Sequence, residues 1–88
     1  SKEDILNAKN AVEQFLKEII SSLNKKLDFE ISENENNINV EIRGEDSGFL
    51  IGYRGEVLNS LQVILNNIAN KDCNGKIKIL LKIPIYSL

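Results

Sequence analysis

The sequence predicts an α+β domain in which one three-stranded mixed sheet is covered on one face by three helices. Three features of the 88 residues predict it. Two segments carry apolar residues every three or four positions, the spacing of an amphipathic helix. Three others alternate apolar and polar residues, the period of a half-buried strand. Between a very short apolar stretch and the second long helix lies one Gly-x-x-Gly segment, a break that glycine tolerates and other residues resist.

Ile5, Ala8, Val12, Phe15, Leu16, Ile19, Ile20 and Leu23 form one stripe, so the first helix spans roughly 2–24. Glu3 and Asp4 sit in its first turn, where negative charge suits the helix dipole, and Asn24-Lys25-Lys26 is a reasonable stop. Leu27, Phe29 and Ile31 then alternate with Asp28, Glu30 and Ser32, and Ile38, Val40 and Ile42 alternate with Asn39, Glu41 and Arg43. The polar run 33–37 between them predicts an antiparallel hairpin. Asp46 and Ser47 are candidate N-caps for the short stretch Phe49-Leu50-Ile51. After Gly52-Tyr53-Arg54-Gly55, Val57, Leu58, Leu61, Ile64, Leu65 and Ile68 predict a helix from Glu56 to about Asn70. Ile77, Ile79, Leu81, Ile83 and Ile85 make the last strand, with Lys76, Lys78 and Lys82 on its other face and Pro84 limiting it to an edge. A right-handed crossover through the two central helices would lay this strand parallel to the second.

Composition narrows the chemistry. No apolar run approaches the length that crosses a membrane, and no basic-then-apolar leader marks the segment for secretion. The chain begins at Ser1 and lacks methionine, which predicts a piece of a longer protein. With no histidine, Ser–His–Asp and Cys–His catalysis and His-ligated zinc are excluded. The lone Cys73 reads as a free, reduced surface thiol, fitting a cytoplasmic protein. Glu45-Asp46 and the pair Glu33 and Glu35 read as turn and cap residues rather than catalytic acids. Eleven basic against thirteen acidic side chains rule out a strongly basic, duplex-coating protein. Charge is uneven, however: residues 1–50 hold six basic and eleven acidic side chains (−5), residues 51–88 five and two (+3). An anion site therefore belongs to the second half.

The Gly-x-x-Gly segment has the parts of a clamp for a single-stranded backbone. Gly52 and Gly55 let a backbone approach closely, and the exposed N–H groups opening the next helix suit a phosphate. Arg54 adds a fixed charge with a planar donor fork, and Tyr53 a ring on which a base can stack. Leu50, Ile51, Val57 and Leu58 would floor a narrow cleft. Each feature also has a plainer reading: a tight turn between helices, a tyrosine packed on its own domain, and four core residues.

The order of elements, with this loop between the two central helices, resembles a type II KH domain. The pattern L-I-G-x-x-G-E-x-L-x-x-L-Q is similar to that of the Jag family of bacterial RNA-binding proteins, met here by Leu50, Ile51, Gly52, Gly55, Glu56, Leu58, Leu61 and Gln62. The resemblance implies that 1–88 is a single KH domain, without catalysis or cofactor, that holds single-stranded RNA, or single-stranded DNA, at Gly52, Tyr53, Arg54 and Gly55. It makes Leu50, Ile51, Val57 and Leu58 the apolar groove and the 33–37 loop the variable loop opposite. No membrane partner is expected. A second reading stays open: a KH scaffold that docks protein, or a homodimer paired through the last strand.

Overall fold

The computed structural model of the chain describes residues 1–73 and 75–84. Helix α1 (Lys2–Leu23) is followed by strands β1 (Asp28–Asn34) and β2 (Asn37–Arg43), the short helix α2 (Gly48–Ile51), one 3₁₀ turn (Tyr53–Gly55), helix α3 (Glu56–Ala69) and strand β3 (Lys78–Lys82). The α+β order α-β-β-α-α-β is that of the sequence reading. The sheet is mixed, in the order β1-β2-β3, with β1 and β2 antiparallel and β2 and β3 parallel.

Ile38, Val40 and Ile42 of the central strand are fully buried against the helices, together with Val12 and Leu16 of α1 and Leu65 of α3. Phe29 and Ile31 of β1 pack on this core from one side, and Ile77 and Ile79 close it on the other. The opposite sheet face is polar: Arg43 Nη2 bridges Glu30 (2.9 Å) and Glu41 (3.0 Å), and Lys82 lies beside Glu41 in the register. Because one face is buried and the other wet, a one-residue slip would invert every strand position, so the register is firmly set.

The structure alters the sequence reading at three places. The hairpin connection is two residues, Glu35-Asn36, because Glu33 and Asn34 still pair with Ile38 and Asn37. Residues 32–36 are all exposed, so this end of the ladder shows no alternation that the sequence could reveal. Neither candidate N-cap caps α2 through its side chain. The Asp46 carboxylate instead accepts the Lys26 N–H (2.6 Å), and the Asp46 N–H returns to the Lys26 carbonyl (3.2 Å), tying the loop to the α1–β1 connection. The last strand ends at Lys82, before Pro84, which has no N–H to give a ladder; Ile85 lies outside the described residues.

Helices α1 and α3 run antiparallel, so the start of α3 sits beside the end of α1. The chain order of β2 puts its last residue, Arg43, at that same end. Six residue steps of about 3.3 Å separate it from the hairpin turn, about 20 Å away. The turn packs instead near the start of α1, where Glu33 meets Lys9 at 3.3 Å. The acidic 33–37 segment therefore does not line the Gly-x-x-Gly end.

Candidate nucleic-acid interface

The segment Gly52-Tyr53-Arg54-Gly55 adopts a backbone that L side chains disfavour at three of four positions: Gly52 (φ 63, ψ −164), Arg54 (φ 55, ψ 28) and Gly55 (φ 76, ψ 14). The two glycines are needed for different reasons. A Cβ on Gly52 would lie 2.5 Å from Val57 Cγ2, so both its conformation and its neighbour demand glycine. A Cβ on Gly55 would meet nothing nearer than Asn59 Nδ2 at 4.0 Å, leaving open space over the loop. Arg54, without glycine's freedom, carries a conformational cost of about 1 kcal/mol.

The loop is chemically unsatisfied as well as strained. No side chain caps α3, so its first N–H groups are available beyond the one bond from Glu56 N–H to the Tyr53 carbonyl. Arg54 makes no ion pair among the described residues; its guanidinium lies 4.9 Å from the centre of the Tyr53 ring. Tyr53 is 67% exposed, which overturns the reading of a ring packed on its own domain. Glu56, exposed in the first turn of α3, is the one acidic side chain directly beside the loop in sequence.

Next to the loop opens a cleft of about 280 Å³ with wholly apolar walls. Leu16, Ile19, Ile20 and Leu23 of α1 form one wall, Val57, Leu61 and Ile64 of α3 the other, and Phe49, Leu50 and Ile42 close it. Of the four predicted groove residues, Leu50 forms buried floor and Val57 an exposed wall. Ile51 and Leu58 are half-buried and do not line this cleft. Leu58 stands one turn before Gln62 on the face that α3 turns toward β3, so the four residues do not form one groove.

Sequence reasoning missed the contribution of α1 and of Phe49. Phe49 is 47% exposed on the cleft rim, with Lys25 Nζ 4.9 Å from its ring centre. The second half of the α1 stripe, where Phe15, Ile19, Ile20 and Leu23 are only half-buried, was the available signal, but a stripe does not say whether its partner helix fills it. Of the lysines on the last strand, only Lys82 lies at the loop end, because β3 runs parallel to β2. Among the described residues, no group of three or more His, Cys, Asp or Glu is placed to hold a metal, and no helix is long and apolar enough to cross a membrane.

A second site of polar order lies along α3. The outward edge of β3 is closed by the side-chain amides of Gln62, Asn66 and Asn70. Gln62 Nε2 donates to the Ile79 carbonyl (2.6 Å) and its Oε1 accepts from Leu81 N–H (3.2 Å). Asn66 Oδ1 accepts from Ile79 N–H (3.1 Å), and Asn70 exchanges two bonds with Ile77 (2.7 and 2.8 Å). This counts against the expected homodimer through the last strand: the N–H groups of Ile77, Ile79 and Leu81 and the carbonyls of Ile77 and Ile79, which a second copy would pair with, are already bonded within the domain.

The loop geometry and element order together fit a KH domain, and comparison with known proteins agrees. Residues 9–83 match the family described as KhpA/KhpB, KH domain. The chain belongs to the KhpA/KhpB KH-domain family. It is similar to the RNA-binding protein KhpB of Clostridium symbiosum, with 35% identity over 75 residues, 83% of this chain and 34% of that protein. The chain thus spans about a third of the length of this relative. The resemblance to a Jag-type KH domain read from the sequence is borne out.

Proposed function

We propose that this KH domain binds single-stranded RNA without catalysis, the sugar–phosphate backbone crossing Gly52–Gly55 and bases resting on the apolar surface beside it. The observation that carries this reading is the loop itself: Gly52, Arg54 and Gly55 hold positive-φ conformations at the uncapped start of α3, leaving backbone N–H groups exposed together with a guanidinium that has no ion pair among the described residues. Strain retained beside unsatisfied donors is the usual mark of a ligand site. The KhpB relative, whose name describes RNA binding, supports the choice of ligand. The net charge of −2 favours a short contact of few phosphates.

Leu50 and Val57 offer apolar contact at the cleft, and the half-buried Ile51 and Leu58 offer it next to the loop. Single-stranded DNA presents the same phosphates and bases, and is the control ligand. A protein-docking role has one observation in its favour, the exposure of Phe49, Val57 and Ile64 around the cleft.

A fluorescence anisotropy titration with labelled mixed-sequence single-stranded RNA, at low and moderate salt, tests the reading. Wild-type affinity should fall with salt by about 0.7 log units per log unit of salt for each phosphate neutralised. Gly55→Asp, which puts a carboxylate into the open space over the loop, should lose at least ~10-fold in affinity while circular dichroism shows a folded domain. RNA binding indifferent to that change would remove the loop from the site, and no RNA binding would leave the cleft as a protein-docking surface.

A further inference from the structure

We propose that Tyr53 and Arg54 form a preassembled platform on which one unpaired nucleobase stacks at the tip of the loop, outside the apolar cleft, so that the loop selects for single strands as well as holding phosphate. This inference rests on the RNA-binding reading and adds a base contact to it.

Three observations carry it. Tyr53 is 67% exposed and does not line the apolar cleft, so its ring is not part of the core packing. The Arg54 guanidinium lies over the ring, 4.9 Å from its centre and within cation–π range, while the residue as a whole stays 67% exposed and so leaves ring surface for a base. Arg54 holds a left-handed backbone (φ 55) that a non-glycine residue rarely adopts, and from that backbone its side chain reaches the neighbouring Tyr53 ring without a ligand present. A ring held in this way loses little freedom when a base stacks on it, and guanidinium and phenol both present flat faces to a π-system. A paired base inside a duplex exposes only its edges in the grooves, so such a platform is useless to it. Stacking tolerates every base, so the platform selects unpaired nucleotides without reading sequence.

The two side chains then contribute differently. Stacking on Tyr53 is largely independent of salt, whereas Arg54 neutralises a phosphate and is salt-dependent. The 88-residue chain is titrated with labelled single-stranded RNA and with the same RNA annealed to its complement, over a series of salt concentrations, as wild type, Tyr53→Ala, Tyr53→Phe and Arg54→Ala. Tyr53→Ala should lose about 5- to 20-fold in single-strand affinity with an unchanged salt slope, and its preference for single strand over duplex should fall by a similar factor. Tyr53→Phe, which keeps the ring, should stay within about 2-fold of wild type. Arg54→Ala should flatten the slope by about 0.7.

Wild-type binding with an unchanged Tyr53→Ala affinity would overturn the platform and leave the clamp standing. Equal losses in Tyr53→Phe and Tyr53→Ala would also overturn it, by assigning the contact to the hydroxyl. Absent wild-type binding would overturn the RNA reading and the platform together.

Discussion

The two ends of α3 are built on opposite terms. From Gln62 to Asn70, three amides one turn apart meet the open edge of β3 with five hydrogen bonds of 2.6–3.2 Å. An edge strand normally presents such groups to any passing chain, and here they are satisfied internally. At Gly52–Glu56 the reverse holds. The helix start has no side-chain cap, the arginine has no ion pair among the described residues, and three residues have positive φ. One helix thus closes polar groups at one end and leaves them available at the other. Satisfied polar groups mark what holds the fold together, and strained, unsatisfied ones mark where a ligand is expected.

Substitutions at the two glycines sharpen this contrast most. Gly52→Asp combines a left-handed backbone with a contact against Val57, and should destabilise the domain by about 3 kcal/mol. Thermal denaturation would show this as a fall in Tm of more than about 10 °C. Gly55→Asp has room, and should cost about 1 kcal/mol while removing binding. Equal destabilisation by the two would break the distinction drawn between them.

The sealed edge gives the next effect. Asn66→Ala leaves the Ile79 N–H without its acceptor and should cost about 1–2 kcal/mol. Hydrogen exchange should quicken at Ile79 while RNA affinity stays near wild type. A loss of binding with unchanged exchange would mean that the edge, not the loop, carries the ligand.

The smallest effect has opposite signs in two assays. Arg54→Gly relieves the left-handed arginine but adds chain entropy to the unfolded state, so stability should rise by only ~0.5 kcal/mol or stay level. Its RNA affinity should nevertheless fall, with a salt slope flattened by about 0.7. Stability and affinity moving together would contradict a strained loop held for binding.

The element order and loop were legible in the sequence because they rest on hydropathy periods and on glycine. Residues Ile38, Val40 and Ile42 alternate cleanly because one sheet face is buried and the other wet. The α3 stripe was legible too, but its depth was not. Val57 and Ile64 belong to it and are still 40% and 42% exposed, since α1 and α3 leave the cleft between them unfilled. The amide seal was hidden for a different reason. Gln62, Asn66 and Asn70 recur every four residues, but polar residues on a helix read as a solvated face, and only the path of β3 shows what they meet. The separation of Val57 from Leu58 likewise depends on which neighbour each side of α3 faces.

On this reading, ligand meets the open end of α3 and leaves its sealed face alone. A ¹⁵N-resolved NMR titration of the chain with single-stranded RNA tests it most directly, because every backbone amide reports separately. Shift changes are expected to concentrate at Leu50–Leu58, with Ile77, Ile79 and Leu81 unmoved. Changes centred on the β3 edge or on the Glu35-Asn36 turn, with Gly52–Gly55 silent, would contradict it.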